Sequence, residues 1–235
     1  MDLEKLAAQI LSQLNLDKIT YTWKVSDRAW SALGTHFRDI EDNADRNTAL
    51  RLFLRDEWHS STPSRRLELA TWMVRDWGGI KTNKETTIER YVVLAASADP
   101  QVKFYGISSF TKVLTIVDPD RYAIYDARVA ASLNALQLLT GCYTLAFPYP
   151  PGRNSEIDQP KTRLGFSDIF TRRELLSRGF ASIRRDDAYH FYLQLLEAIR
   201  RASNKSLLEI EMELFGRAVE FSKEVRRQGF FNSAM

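Results

Sequence analysis

Residues Tyr105 to Leu133 read YGISSFTKVLTIVDPDRYAIYDARVAASL: a turn, a helix, a short loop and the start of a second helix. Gly106 permits a tight turn at positive φ, and Ser108 and Ser109 are placed to cap the run that follows, which leaves free backbone N–H groups at its start. A helix start of this kind binds phosphate. Val113, Leu114, Ile116 and Val117 make its buried face, and Asp118-Pro119 ends it. After the apolar passage Tyr122 to Tyr125 the chain reaches Asp126, just ahead of the helical run ARVAASLNAL.

Working outward, the same helical period dominates the chain, and strict alternation never lasts more than a few positions, so sheet is not expected to be central. The spacing predicts helices over 2–14, 27–40, 46–58, 64–77, 85–97, 108–117, 127–140, 186–202 and 206–227. Ser64 and Asp186 are the start signals of two of them, Gly78-Gly79 closes the fourth, and Pro100 and Pro119 interrupt helical patterns. From Gly141 to about Ser167, Pro148, Pro150, Pro151, Gly152, Pro160 and Gly165 predict a long loop, and loops beyond about 12–15 residues in a packed domain are usually functional or disordered. The expected fold class is all-α: one domain over 1–235, built of two helical lobes with the long Pro/Gly loop at about 141–167.

Composition narrows the classes. With 235 residues, 44% of them apolar, the chain can bury a sizeable core without staples. Cys142 is the lone cysteine and no Cys or His spacing suits a metal or an iron–sulfur cluster, so no cofactor is expected and a cytoplasmic location is. His36, His59 and His190 are isolated and read as structural or exposed. The start MDLEKLAAQILSQL resembles neither a signal peptide nor a membrane span. Net charge is only +3, but 23 of the 33 bases are arginine, the side chain suited to phosphates and base edges. Lys161, Arg163, Arg172, Arg173, Arg178, Arg184 and Arg185 stand against Asp168 and Glu174, an excess that reads as a solvated face or as a ligand-binding stretch.

The glycine turn and helix at Gly106, Ile107 and Thr111, followed by Asp126, resemble the signature of the helix-hairpin-helix DNA glycosylase superfamily. DWGGI (Asp76–Ile80), YDARVA (Tyr125–Ala130) and IEMELF (Ile210–Phe215) resemble motifs of the smaller bacterial proteins similar to 8-oxoguanine glycosylases. In size and motif order the chain is similar to anti-phage members that remove glucosylated hydroxymethylcytosine. The resemblance implies a two-lobed helix-hairpin-helix architecture, a duplex DNA partner with a flipped, modified nucleotide, a monomeric enzyme, and Asp126 as the carboxylate. Breaking an N-glycosidic bond builds positive charge on the deoxyribose; a fixed carboxylate stabilises that state and can orient the attacking water. The bland reading of Asp126 is an N-cap, contributing about 1 kcal/mol.

The resemblance makes Gly106, Ser108, Ser109, Lys112 and Arg128 candidate DNA contacts, although Arg128 could equally pair with an acid. Two positions depart from the family pattern. Ser108 stands where many members have a second glycine, and Phe110 stands where bifunctional members have their Schiff-base lysine. Lys112 lies about 200° further round the helix and reads as a solvent-facing or phosphate-contacting base. A monofunctional glycosylase leaving an abasic site is therefore expected. An extruded base needs aromatic faces and polar groups, for which Trp77, Gly78, Gly79 and Lys81 are candidates; the alternative is a glycine C-cap with Trp77 in the core. Favoured as substrate is α-glucosyl-hydroxymethylcytosine of phage DNA. An 8-oxoguanine-type repair enzyme, a non-enzymatic DNA-binding module and a helical protein-interaction domain are the alternatives.

Overall fold

The computed structural model describes residues 2–33, 37–150 and 171–230, and its fold is all-α. In chain order the helices are α1 Leu3–Leu11, α2 Asp27–Leu33, α3 Asn43–Ser60, α4 Pro63–Thr71, α5 Glu85–Ala95, α6 Ile107–Val117, α7 Ala127–Thr140, α8 Arg172–Ser177, α9 Ala188–Ser203, α10 Leu207–Gly216 and α11 Ala218–Arg227. The chain contacts separate it into two units, one made of Met1–Tyr21 with Tyr125–Met235 and the other of Thr22–Ile124.

In the first unit α7 is the central element, packed against α1, α10 and α11. Every residue of α7 from Val129 to Leu138 is buried, which is why its sequence lacks a polar face. Two of those buried residues are amides that hold the chain leaving the helix. Gln137 accepts from the N–H groups of Thr144 and Leu145 at 3.0 and 2.9 Å and donates to Leu145 O; Asn134 does the same for both backbone groups of Phe147, at 3.0 and 2.9 Å. Three residues apart on one face, they act as substitute peptide groups for an extended segment. That segment contains β1, Leu145–Ala146, which pairs in parallel with β2, Ala181–Ser182. The predicted loop thus begins with ordered chain, whereas 151–167 lie outside the described residues.

The single helix expected over 206–227 is two. Ser206 and Glu209 form a capping box that starts α10, and Gly216 ends it where a Cβ would lie 1.6 Å from Thr20 O. The helix expected from a cap at Asp186 starts later, because Arg185–Asp187 form a 3-10 turn and the Asp187 carboxylate is taken by Arg184 at 2.6 and 2.9 Å.

In the second unit α6 is the buried element, packed against α3, α4 and α5. The predicted 27–40 helix comprises α2 and a 3-10 turn at Phe37–Asp39, with 34–36 outside the described residues. Thr62 caps α4 with Pro63 in its first turn, two positions ahead of the expected Ser64 cap. The helix predicted to run to residue 77 changes character at its end: Trp72–Trp77 form a π-helical turn, with Gly78 N–H on Met73 O at 3.0 Å. In an α-helix Trp72 and Trp77 would diverge by about 140°. The wider turn lets both rings be buried, Trp72 against Trp30 and Trp77 against Trp23.

Candidate functional site

Asp126 sits in extended backbone ahead of α7 and is half-buried. Its Oδ1 accepts from the N–H groups of Arg128 at 2.9 Å and Val129 at 3.1 Å, so the N-cap role is real. Only that oxygen is used. Oδ2 has no hydrogen-bond partner among the described residues. The cap fixes the carboxylate while leaving half of it open, and a carboxylate so held can stabilise adjacent positive charge or take a proton from water.

The surroundings of Asp126 in this unit are phenolic and acidic. Tyr125 is fully buried, donates to Pro148 O at 2.7 Å and meets Tyr192 edge to face with ring centroids 5.2 Å apart. Burial pushes the Tyr125 phenol well above its ordinary value, and the negative charge of Asp126 pushes it further. Tyr192 is raised in the same way, by burial first, then by Glu211, Tyr189, Asp126 and Tyr125. Glu211, on α10 and buried, is thus a second carboxylate in this neighbourhood that the sequence reading missed. Its signal in the sequence is an acid inside the apolar run LLEIEMELF, a position that burial makes costly unless the carboxylate has a task. Arg128 holds its guanidinium 4.8 Å from the Phe215 ring centroid, and among the described residues no carboxylate lies within ion-pair distance of it. The expected alternative of an acid partner is therefore replaced by an aromatic one.

The other candidates belong to the second unit. Gly106 has φ +79°, and a Cβ there would lie 2.2 Å from the Tyr91 hydroxyl, so glycine is required twice over. Tyr91 cannot swing aside freely, because its ring stacks on Phe110 at 5.1 Å. In the first turn of α6, Ile107 N–H is taken by Phe104 O and Ser109 N–H by Gly106 O, while the N–H of half-buried Ser108 has no acceptor among the described residues. The turn is braced from behind: Arg75 donates to Asn83 O and Asn83 Nδ2 donates to Ser109 Oγ, at 2.8 and 2.7 Å. Ser108 and Ser109 were expected to cap α6 and to contact DNA; the N-cap is Gly106, with no side-chain cap hydrogen bond, because both serines lie inside the first turn. Ser109 is buried and its hydroxyl accepts from Asn83, while Ser108 is half-buried.

Lys112 also departs from expectation. It is 4% exposed, its Nζ donates to Ser108 O at 2.8 Å, and its stem lies where a Cβ on Gly78 would come within 2.8 Å of Cε. A solvent-facing base is therefore excluded; the apolar environment of α6 draws the stem inward, and the Ser108 carbonyl receives the charge. Trp77, expected to offer a face to an extruded base, is instead buried between Trp23, at 5.9 Å, and the Arg51 guanidinium, at 4.9 Å. Gly78 is explained by the close approach of Lys112, and Gly79 by its φ of +66°. Lys81 is exposed, and no acid pairs with it among the described residues.

In the basic stretch, Lys161 and Arg163 lie outside the described residues. Arg178 pairs with Glu174 at 3.1 Å, Arg172 donates to Ser182, Arg184 binds Asp187, and Arg173 is exposed. His59 Nε2 meets Val117 O at 3.0 Å, His190 lies by Phe191, and His36 is outside the described residues. Among the described residues no group of three His, Cys, Asp or Glu side chains is placed to hold a metal ion, and no helix is long and apolar enough to cross a membrane. In comparisons with protein-family models, curated proteins and solved structures, nothing matches this chain.

Proposed function

We propose that this chain is a monofunctional DNA glycosylase in which Asp126 stabilises the oxocarbenium-like deoxyribose and orients the attacking water, leaving an abasic site. The observation that carries the reading is the division of labour within one carboxylate: Oδ1 is fixed by two backbone N–H groups and Oδ2 is open. Asp42 caps α3 through one oxygen in the same way but is exposed, whereas Asp126 is half-buried beside the fully buried Tyr125, where a carboxylate acts more strongly on a neighbouring charge. Gly106 and the Ser108 N–H supply the anchor for a phosphate of duplex DNA. The monofunctional assignment is supported by Phe110, buried against Tyr91 in the place of a Schiff-base lysine, and by Lys112, which is buried with its amine donating to Ser108 O. The favoured substrate is α-glucosyl-hydroxymethylcytosine of phage DNA, which makes the enzyme one of anti-phage defence; 8-oxoguanine is the competing base.

Asparagine caps helices as well as aspartate does, so Asp126→Asn separates the two roles of the residue. The variant is expected to unfold at the same denaturant concentration as the wild type, to bind duplex DNA as tightly, and to lose base excision by at least about 100-fold. Mass analysis of the base released from glucosylated phage DNA and from an 8-oxoguanine duplex identifies the substrate. Full excision by Asp126→Asn refutes the catalytic role; DNA binding with no base released from any substrate leaves a non-enzymatic DNA-binding module.

A further inference from the structure

Beyond the last turn of α6, within the unit Thr22–Ile124, is a cavity of about 330 Å³, at the lower end of the range of small-molecule sites. Arg55 and His59 of α3 line it together with Val117, Asp118, Arg121 and Tyr122. Its donors are only partly committed. Arg121 gives one N–H to Ala98 O at 2.9 Å and lays its guanidinium 5.1 Å from the Tyr122 ring centroid. Arg55 pairs with Asp56 at 2.9 Å, but Asp56 is 69% exposed, and such a pair contributes little and exchanges readily. Each guanidinium therefore keeps N–H donors with no acceptor among the described residues. His59 Nε2 faces Val117 O, which can only accept, so this nitrogen carries the hydrogen. Burial raises the Tyr122 phenol, against the pull of Arg121 and with the help of Asp118 and Asp99, which keeps it a neutral donor.

The lining thus presents two guanidiniums to an anion and one carboxylate, Asp118, to hydrogen-bond donors. One oxygen of Asp118 already accepts from Asp120 N–H at 3.1 Å, which fixes its position. A bare phosphate would leave most of the volume empty and would face Asp118 with like charge. We propose that this cavity binds a nucleotide, its phosphate between Arg55 and Arg121 and the N–H or O–H groups of its base or sugar toward Asp118. The nucleotide can be a free monophosphate or part of a DNA strand.

The test is calorimetric titration of the full chain with each deoxynucleoside 5′-monophosphate, with inorganic phosphate as competitor and with a short unmodified duplex. It reads binding and not base release, so it is independent of the role of Asp126. Saturable nucleotide binding is expected, weakened by about tenfold or more in Arg55→Gln and in Arg121→Gln. Arg227→Gln, which removes an exposed arginine paired with Glu224, is expected to leave it unchanged. Thermal unfolding checks that each variant is folded. If duplex affinity falls in the same variants and its salt slope shrinks by about one, the phosphate belongs to a DNA strand. If only monophosphate binding is lost, the ligand is free. The proposal is overturned if the wild type binds neither ligand saturably, or if the Arg55→Gln/Arg121→Gln double variant binds both as the wild type does.

Discussion

The unit containing α7 buries two carboxylates, Glu211 and Glu213, whereas the unit containing α6 buries two cations, Arg51 and Lys112. Among the described residues neither unit buries a side chain of the opposite sign. Hydrogen bonds reach Glu213, Lys112 and Arg51. Glu213 accepts from Asn15 N–H at 3.1 Å and Thr20 N–H at 2.8 Å, with half-buried Arg217 alongside; Lys112 gives its amine to a carbonyl; Arg51 donates to Thr115 and faces Trp77. Burying charge is expensive unless hydrogen bonds or ion pairs replace water. The two interiors thus bury charged side chains of opposite sign. Under the proposed function, buried carboxylates in the unit of Asp126 favour the positive charge developing there, and buried cations in the other unit favour an anion at the start of α6.

The largest expected effect breaks this contrast on its acidic side. Glu213→Ala strands the N–H groups of Asn15 and Thr20 and deprives Arg217 of one partner, so a loss of about 3–5 kcal/mol in chemical unfolding is expected. A loss below about 1 kcal/mol would mean that the 15–20 segment is satisfied without the carboxylate. Next comes Gly106→Ala, where forcing a Cβ into the left-handed region costs about 1–2 kcal/mol before the approach to Tyr91 is counted. Adding Tyr91→Phe removes the hydroxyl 2.2 Å from that Cβ and should recover part of the loss, leaving the backbone cost behind. A double variant no better than Gly106→Ala alone would show that the hydroxyl is not the obstacle. Smaller still is Lys112→Met, which keeps the stem against Gly78 and removes only the charge. About 1 kcal/mol of stability is at stake, and weaker DNA binding at unchanged secondary structure would show that the buried cation acts on the phosphate from behind Ser108.

How far these features are legible in the sequence depends on whether neighbouring residues or distant ones decide them. The turn at Gly106 and the cap at Asp126 follow from the glycine and from the Asp-Ala-Arg-Val order, which are local signals, and both are where the sequence places them, although α6 begins at Ile107 and neither Ser108 nor Ser109 caps it. The burial of Lys112 and Trp77 is decided by Gly78 and Arg51, residues far along the chain that no periodicity connects. The break at Gly216 has the same character, since its cause is the Thr20 carbonyl. Gln137 and Asn134 are polar positions in an otherwise apolar helix whose purpose depends on the extended segment they bind, which no helical period reveals. The capping box Ser206–Glu209, by contrast, is a local signal, a serine followed three residues later by a glutamate ahead of an apolar run.

The smallest prediction sharpens the contrast at Asp126 itself. Tyr125 ionises well above its ordinary value of 10.0 in the folded chain, because burial and then Asp126 oppose a phenolate. Once unfolded it ionises at the ordinary value. Its raised pKa therefore contributes stability that is complete below about pH 10 and declines as the pH rises, since the unfolded chain is then the one that gains by releasing the proton. Half a unit above that point the decline is about 1 kcal/mol for one such tyrosine. Chemical unfolding at pH 8 and pH 10.5 should show a shallower fall in Tyr125→Phe than in the wild type, after the loss of the bond to Pro148 O, present at both pH values, is subtracted. An identical fall would mean that the phenol reaches water in the folded state, and a phenol open to water beside Asp126 would weaken the low-dielectric surroundings on which the role proposed for the carboxylate depends.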